Sequence, residues 1–154
     1  MRFQPKAVLF IAGIVACFQA GCSRQGSSTT PLEQILTTFK DGNKDDSVQK
    51  FIESDWHLSP AFSKDSPLNA READFAKLTV EKQDQTVKGV LEHTNLIRSL
   101  AKAVSDKSNS IVKSDPKQAQ KGKTMLKELG KKLDQPEGLK IVQLIGKAVG
   151  KLGN

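Results

Sequence analysis

Thr30-Pro31-Leu32-Glu33-Gln34-Ile35-Leu36-Thr37-Thr38-Phe39-Lys40-Asp41-Gly42 contains a complete helix, start to stop. Thr30 can accept from a free backbone N–H of the first turn. Pro31 suits the first helical position, where its missing donor is not needed, and Glu33 can reach back to the cap. Leu32, Ile35, Leu36 and Phe39 recur at i, i+3, i+4 and i+7 and form one apolar face. Gly42 can close the helix.

The same signals recur outward from this stretch. A second short helix is expected from Asp45 or Asp46, with Val48, Phe51 and Ile52 on one side and Trp56 a turn later, so the first two helices make a hairpin. From Asp55 to Asn69 the periodicity stops, broken by Pro60, Pro67 and the polar run Ser63-Lys64-Asp65-Ser66. Trp56, Leu58 and Phe62 should still anchor this loop across the helices. Ala70 to Leu78 reads as a short helical turn bearing Phe75 and Leu78.

Thr79 should cap a long helix with Val80, Val87, Val90, Leu91, Thr94, Ile97, Ala101 and Val104 on its face, flanked by Leu96 and Leu100. The pattern reaches Ile111 and Val112, and Ser105 to Ser110 is poor helix material that predicts a kink or break. Asp115-Pro116 repeats the cap-then-proline start, followed by Ala119, Met125, Leu126, Leu129 and Leu133. Asp134-Gln135-Pro136 reads as a third such start. The last helix sets Leu139, Ile141, Val142, Leu144, Ile145, Ala148, Val149 and Leu152 against Lys140, Gln143, Lys147 and Lys151. No stretch alternates apolar and polar residues as a strand would. The expected fold is all-α, a small helical bundle or set of helical hairpins of about five helices, over residues 31–154.

Composition bounds what such a domain can do. The 154 residues include one Trp, seven Phe, no Tyr and two Cys, with a formal charge of +7. No aromatic residue lies beyond Phe75, so the C-terminal half must pack on aliphatic side chains. The charge is uneven: residues 22–100 are net −2 and residues 101–154 net +7. A basic half favours an anionic neighbour, although a lysine run is also how a helix keeps a solvated surface. Nucleic acid is not expected as a partner, because the basic half offers no aromatic side chain for base stacking.

The N-terminus carries a different message. Arg2 and Lys6 make a positive start, Ala7 to Ala20 (AVLFIAGIVACFQA) is almost wholly apolar, and small residues then precede a cysteine. The apolar run is shorter than the ~20 residues of a membrane span. This layout resembles a bacterial lipoprotein signal peptide, and the resemblance covers only these first two dozen residues. It implies a leader over residues 1–21, diacylglycerol on a cysteine, and a mature chain anchored to a membrane and facing the periplasm or cell exterior. Two cysteines compete for the lipid. Ile14-Val15-Ala16-Cys17 fits the motif well, whereas Gln19-Ala20-Gly21-Cys22 departs from it at Gln19. Context favours Cys22, because Ser-Arg-Gln-Gly-Ser-Ser-Thr-Thr after it makes a polar tether over residues 22–30. Use of Cys17 would also leave Cys22 as a free thiol in an oxidising compartment.

Phe39-Lys40-Asp41-Gly42-Asn43 followed by Ser47-Val48-Gln49-Lys50-Phe51, and Ser114-Asp115 followed by Ala119, faintly resemble tetratricopeptide-type helical repeats. Neither has the full set of small and aromatic positions. The resemblance implies a groove for a peptide or protein.

Motifs for chemistry fail on inspection. Asp41-Gly42-Asn43-Lys44-Asp45 starts like a calcium loop, but Asp46 stands where glycine is needed and Ile52 where a bidentate Glu belongs. Gly122-Lys123-Thr124 echoes the end of a phosphate loop, but Lys117 replaces its first glycine and no strand precedes it. His57 and His93 are the only histidines, and with Asp55 they offer too few ligands for zinc. No serine elbow, Cys–His pair or carboxylate pair is visible. The expectation is a non-enzymatic envelope lipoprotein without cofactor or metal that binds or scaffolds an envelope protein. The alternative is a protein acting on a membrane surface through Lys140, Lys147 and Lys151 of an amphipathic last helix. A hydrolase or metal enzyme built on Asp55 and His57 is the third reading.

Overall fold

A computed structural model describes residues 29–154; the leader, Cys17 and Cys22 lie outside these residues. Among the described residues the chain forms six α-helices: α1 (Pro31–Lys40), α2 (Lys44–Glu53), α3 (Glu72–Phe75), α4 (Val80–Ile111), α5 (Pro116–Leu133) and α6 (Lys140–Leu152). The only strand-like pairing among them is an isolated bridge between Arg71 and Gly138. The fold is an all-α bundle, with α3 a single turn beside five longer helices. None of the described helices is long and apolar enough to cross a membrane.

α1 forms as its sequence dictates. The Thr30 hydroxyl accepts from the Glu33 N–H at 3.3 Å, while the Glu33 carboxylate accepts from the Thr30 N–H at 2.9 Å. Leu32, Ile35, Leu36 and Phe39 are all buried. Gly42 supplies the one positive φ among the described residues, +96°, and turns the chain into α2. Val48, Phe51 and Ile52 then complete the hairpin core. Trp56 stacks on Phe51 with centroids 5.0 Å apart, and its indole N–H donates to the Phe51 carbonyl at 2.9 Å.

The loop after α2 does lie across the helices, through Trp56, Ala61, Phe62 and Leu68. Leu58 is not among its anchors: it is 77% exposed. Two short 3-10 turns, Trp56–Leu58 and Pro67–Asn69, carry the chain onward. Glu33 fastens the loop to α1, because its second carboxylate oxygen accepts from both the N–H and the hydroxyl of Ser63, at 3.0 and 2.9 Å.

α4 is continuous through Ser105–Ser110, with no break. The reason is packing. Ser105 and Ser108 are buried, and a Cβ added at Gly122 of α5 would collide with the Ser108 hydroxyl. Small side chains let α4 and α5 cross closely there, so poor helix propensity is overridden by tertiary contact. At its other end α4 runs past the core, and Val80, Val87 and Leu91 are exposed while Val90, Ile97, Leu100, Ala101 and Val104 are buried.

Asp115 caps α5 as expected, accepting from the Gln118 N–H at 3.0 Å. The third cap-then-proline start is different. Residues 134–139 form a turn, and α6 begins only at Lys140. Here the Glu137 carbonyl accepts from the Glu72 N–H at 3.0 Å, and Gln143 donates to the Gly138 carbonyl at 2.7 Å. These bonds hold the chain out of helical geometry. They also bury Gln143, which the sequence pattern places with the lysines.

Candidate functional site

The surface that departs most from the sequence pattern is α6. Its contact with α5 runs through glycine. A Cβ at Gly146 would lie 2.7 Å from the Asp134 nitrogen and 2.8 Å from the Gly130 carbonyl oxygen. One at Gly130 would lie 2.8 Å from the Gly146 carbonyl oxygen and the Gly150 Cα. The two backbones therefore touch, with Val142 and Val149 filling the flanks as buried residues.

This choice of face decides the rest of α6. At about 100° per residue, turning Gly146 and Val149 inward sends Ile141, Leu144, Ala148 and Leu152 outward. Leu144 is 64% exposed, Leu152 40% and Ile141 37%. The helix does not close the core with these side chains. Nor are the lysines opposite them: Lys140, Lys147 and Lys151 form an adjoining stripe on the exposed side. Lys147 lies 3.9 Å from Asp134 at the end of α5.

Across from the lysines, α6 meets α4 in a groove of about 670 Å³. Ala148, Val149 and Leu152 form one wall, and Arg98, Lys102 and Asp106 belong to the other. The apolar edge of α6 is thus flanked by cations on both sides. Sequence reasoning found Lys140, Lys147 and Lys151 but missed Arg98 and Lys102, which come from a helix two elements earlier in the chain. It also missed the packing glycines. Their signal was present, since Gly146, Gly150 and Gly153 recur at spacings of four and three residues on one helix face.

A second groove, about 520 Å³, runs between α1 and α4. Glu33, Leu36, Lys40, Glu92 and His93 line it, together with Thr29, where the described chain begins. Asn95 and Ser99 of α4 border both grooves. Lys40 and Glu92 pair at 2.8 Å across it, which raises the lysine pKa and lowers that of the glutamate. His93 Nδ1 is spent on the Gly89 carbonyl of its own helix, at 2.8 Å. For Glu33, burial pushes the carboxyl pKa up, but the hydrogen bonds from Thr30 and Ser63 outweigh it and hold it below its ordinary value.

The chemical motifs separate in space. His57 packs edge-on to Trp56, with centroids 6.2 Å apart, and Asp55 is exposed. Among the described residues no group of three or more His, Cys, Asp and Glu side chains is placed to hold a metal ion. Asp46 of the calcium-like loop pairs with Lys50 at 2.7 Å. Gly122 is buried in the α4–α5 contact, not on the helix surface.

No family model matches the chain, and neither a curated protein nor a solved structure resembles it.

Proposed function

We propose that this chain is a non-enzymatic lipoprotein of the bacterial cell envelope, anchored through lipid on Cys22, with Cys17 as the alternative, and facing the periplasm or cell exterior. It works by surface contact, as a binding or scaffolding protein. The observation that carries this reading is the outward apolar edge of α6. Leu144 and Leu152 are large apolar side chains on a helix whose inward face is already satisfied by glycine and valine. Apolar surface rimmed by charge is characteristic of a site that meets another component. The leader sequence supports the envelope, and the hairpin spacing that resembles tetratricopeptide-type repeats supports a protein partner.

Mass spectrometry of the N-terminal peptide from the membrane fraction tests the anchor. A diacylglyceryl mass on Cys22 is expected, lost in Cys22→Ser and retained in Cys17→Ser. The reverse pattern assigns Cys17, and an unmodified N-terminus in all three chains overturns the reading. Cross-linking in intact cells from a photoreactive side chain at Leu144 tests surface contact, and an adduct to an envelope component is expected.

A further inference from the structure

We propose that the outer edge of α6 seats on a bilayer rich in anionic phospholipid, with Ile141, Leu144, Ala148 and Leu152 in the headgroup boundary and the flanking cations on the lipid phosphates. The proposal rests on the anchored-lipoprotein reading and names what the α6 surface meets. Three observations converge on a lipid surface as the occupant.

The first is charge. α6 carries Lys140, Lys147 and Lys151 and no acidic residue, and Arg98 and Lys102 face it across the groove. The acids near this edge are Asp106 in the groove, Asp134 beside Lys147, and Glu72, whose carboxylate accepts the Lys140 backbone N–H at 3.3 Å. Five cations stand against three acids, and with Lys147 paired to Asp134 the edge still keeps a net positive rim.

The second is layout. An interfacial helix holds a narrow apolar stripe in the headgroup region while long basic side chains extend from its flanks to the phosphates. The three lysines on one flank and Arg98 with Lys102 on the other have that arrangement about Leu144 and Ala148. Cations on both flanks of an apolar stripe match a uniform anionic plane.

The third is reach. From Cys22 to Thr29 is seven residues, which extend to at most about 25 Å. Thr29 lines the groove beside α4, and that groove shares Asn95 and Ser99 with the one bordered by Ala148 and Leu152. A lipid on Cys22 therefore holds near the bilayer the side of the bundle that carries the α6 edge. α4, with 32 residues, is about 48 Å long, so the tether is short compared with the molecule it positions.

The test uses the full-length chain, processed in a bacterial host and reconstituted with vesicles of phosphatidylcholine alone or mixed with phosphatidylglycerol. Flotation with the phosphatidylcholine vesicles reports the anchor. Leu144→Trp reports α6, read as quenching of the introduced indole by brominated lipid; Trp56 is 1% exposed and supplies a constant background. The expected result is flotation on both vesicles, with a blue-shifted and quenched indole only on the anionic ones. That quenching should disappear in the Lys140→Gln, Lys147→Gln, Lys151→Gln triple variant, and at about 1 M salt, where the screening length falls to about 3 Å, while flotation persists. A chain that floats with an unquenched indole on anionic vesicles overturns the proposal and spares the anchor. Blue shift without quenching overturns it in favour of a second copy of the chain on the same edge. A chain that fails to float on phosphatidylcholine but floats and is quenched on anionic vesicles breaks the anchor and keeps the α6 contact; one that does neither breaks both.

Discussion

The two hairpins of this bundle are held together by opposite means. α1 and α2 pack through large side chains: Phe39, Phe51 and Trp56 fill the space between them and the following loop, and all are buried. α5 and α6 pack through the absence of side chains, with Gly130 against Gly146 and Gly150. The first solution consumes its apolar surface. The second brings backbones into contact and leaves the large side chains of α6 to face outward. A helix pair that docks through glycine can thus be firmly fixed and still present an apolar edge.

The difference can be broken most sharply at Trp56. It is one of the largest fully buried side chains and also donates to the Phe51 carbonyl. Trp56→Ala should cost about 3–5 kcal/mol, read as a lower denaturation midpoint by circular dichroism. A cost below about 1 kcal/mol would mean that the aromatic hairpin is not the stabilising half.

The glycine hairpin should respond in the other direction, to addition of atoms. Gly146→Ala places a methyl group within 2.7–2.9 Å of the Asp134 nitrogen, the Gly130 carbonyl oxygen and the Leu133 Cβ, two of which are backbone atoms that cannot turn aside. Overpacking of this kind costs about 1–3 kcal/mol. Gly150→Ala is the control, because its methyl would meet only the Gly130 Cα, at 3.9 Å. It should be neutral or stabilising by up to about 1 kcal/mol through helix propensity. Equal effects of the two substitutions, in parallel melts, would refute the backbone-contact account.

How far each half was legible follows from the same contrast. Aromatic packing announces itself, and the faces of α1, α2 and α5 were readable from apolar spacing together with Thr30 and Asp115 as caps. Glycine packing does not. A pattern that counts only large apolar residues assigns Ile141, Leu144 and Leu152 to the core, since it gives no weight to Gly146 as a contact. The same blindness to small residues predicts a break at Ser105–Ser110, where Ser108 meets Gly122. The turn at 134–139 was hidden for another reason: Asp134 and Pro136 match a helix start locally, and it is Gln143 together with the distant Glu72 and Arg71 that hold the segment out of a helix. As for the candidate site, its lysines lie close together in sequence on one helix and were found, whereas Arg98 and Lys102 join them only through the tertiary fold.

Glu33 offers the finest test of the comparison, because it sets a part-buried titratable fastener in one hairpin, where the other has the exposed Lys147–Asp134 pair at its rim. Its carboxylate accepts from Thr30 on one oxygen and from Ser63 on the other, joining the start of α1 to the loop. These bonds to the charged form hold its pKa below the ordinary glutamate value of about 4.3. A carboxyl whose pKa falls on folding contributes its full stability above that value, and the contribution is lost as the pH drops through the lowered folded value. Glu33→Gln keeps the shape but removes the charge, and should cost about 1 kcal/mol near neutral pH and progressively less as the pH falls below the ordinary glutamate value. The close α5–α6 contact is built from Gly130, Gly146, Gly150 and valine, and its ion pair, Lys147 with Asp134 at 3.9 Å, lies at the exposed rim, where such pairs add little. Acid should therefore loosen the two hairpins unequally. Hydrogen exchange after incubation at pH 3 and pH 6 should show protection falling first in α1 and the Ser63 loop while the Gly130–Gly146 segment keeps its own. Simultaneous loss in both would mean that the hairpins unfold as one unit and that their different packing has no separate consequence for stability.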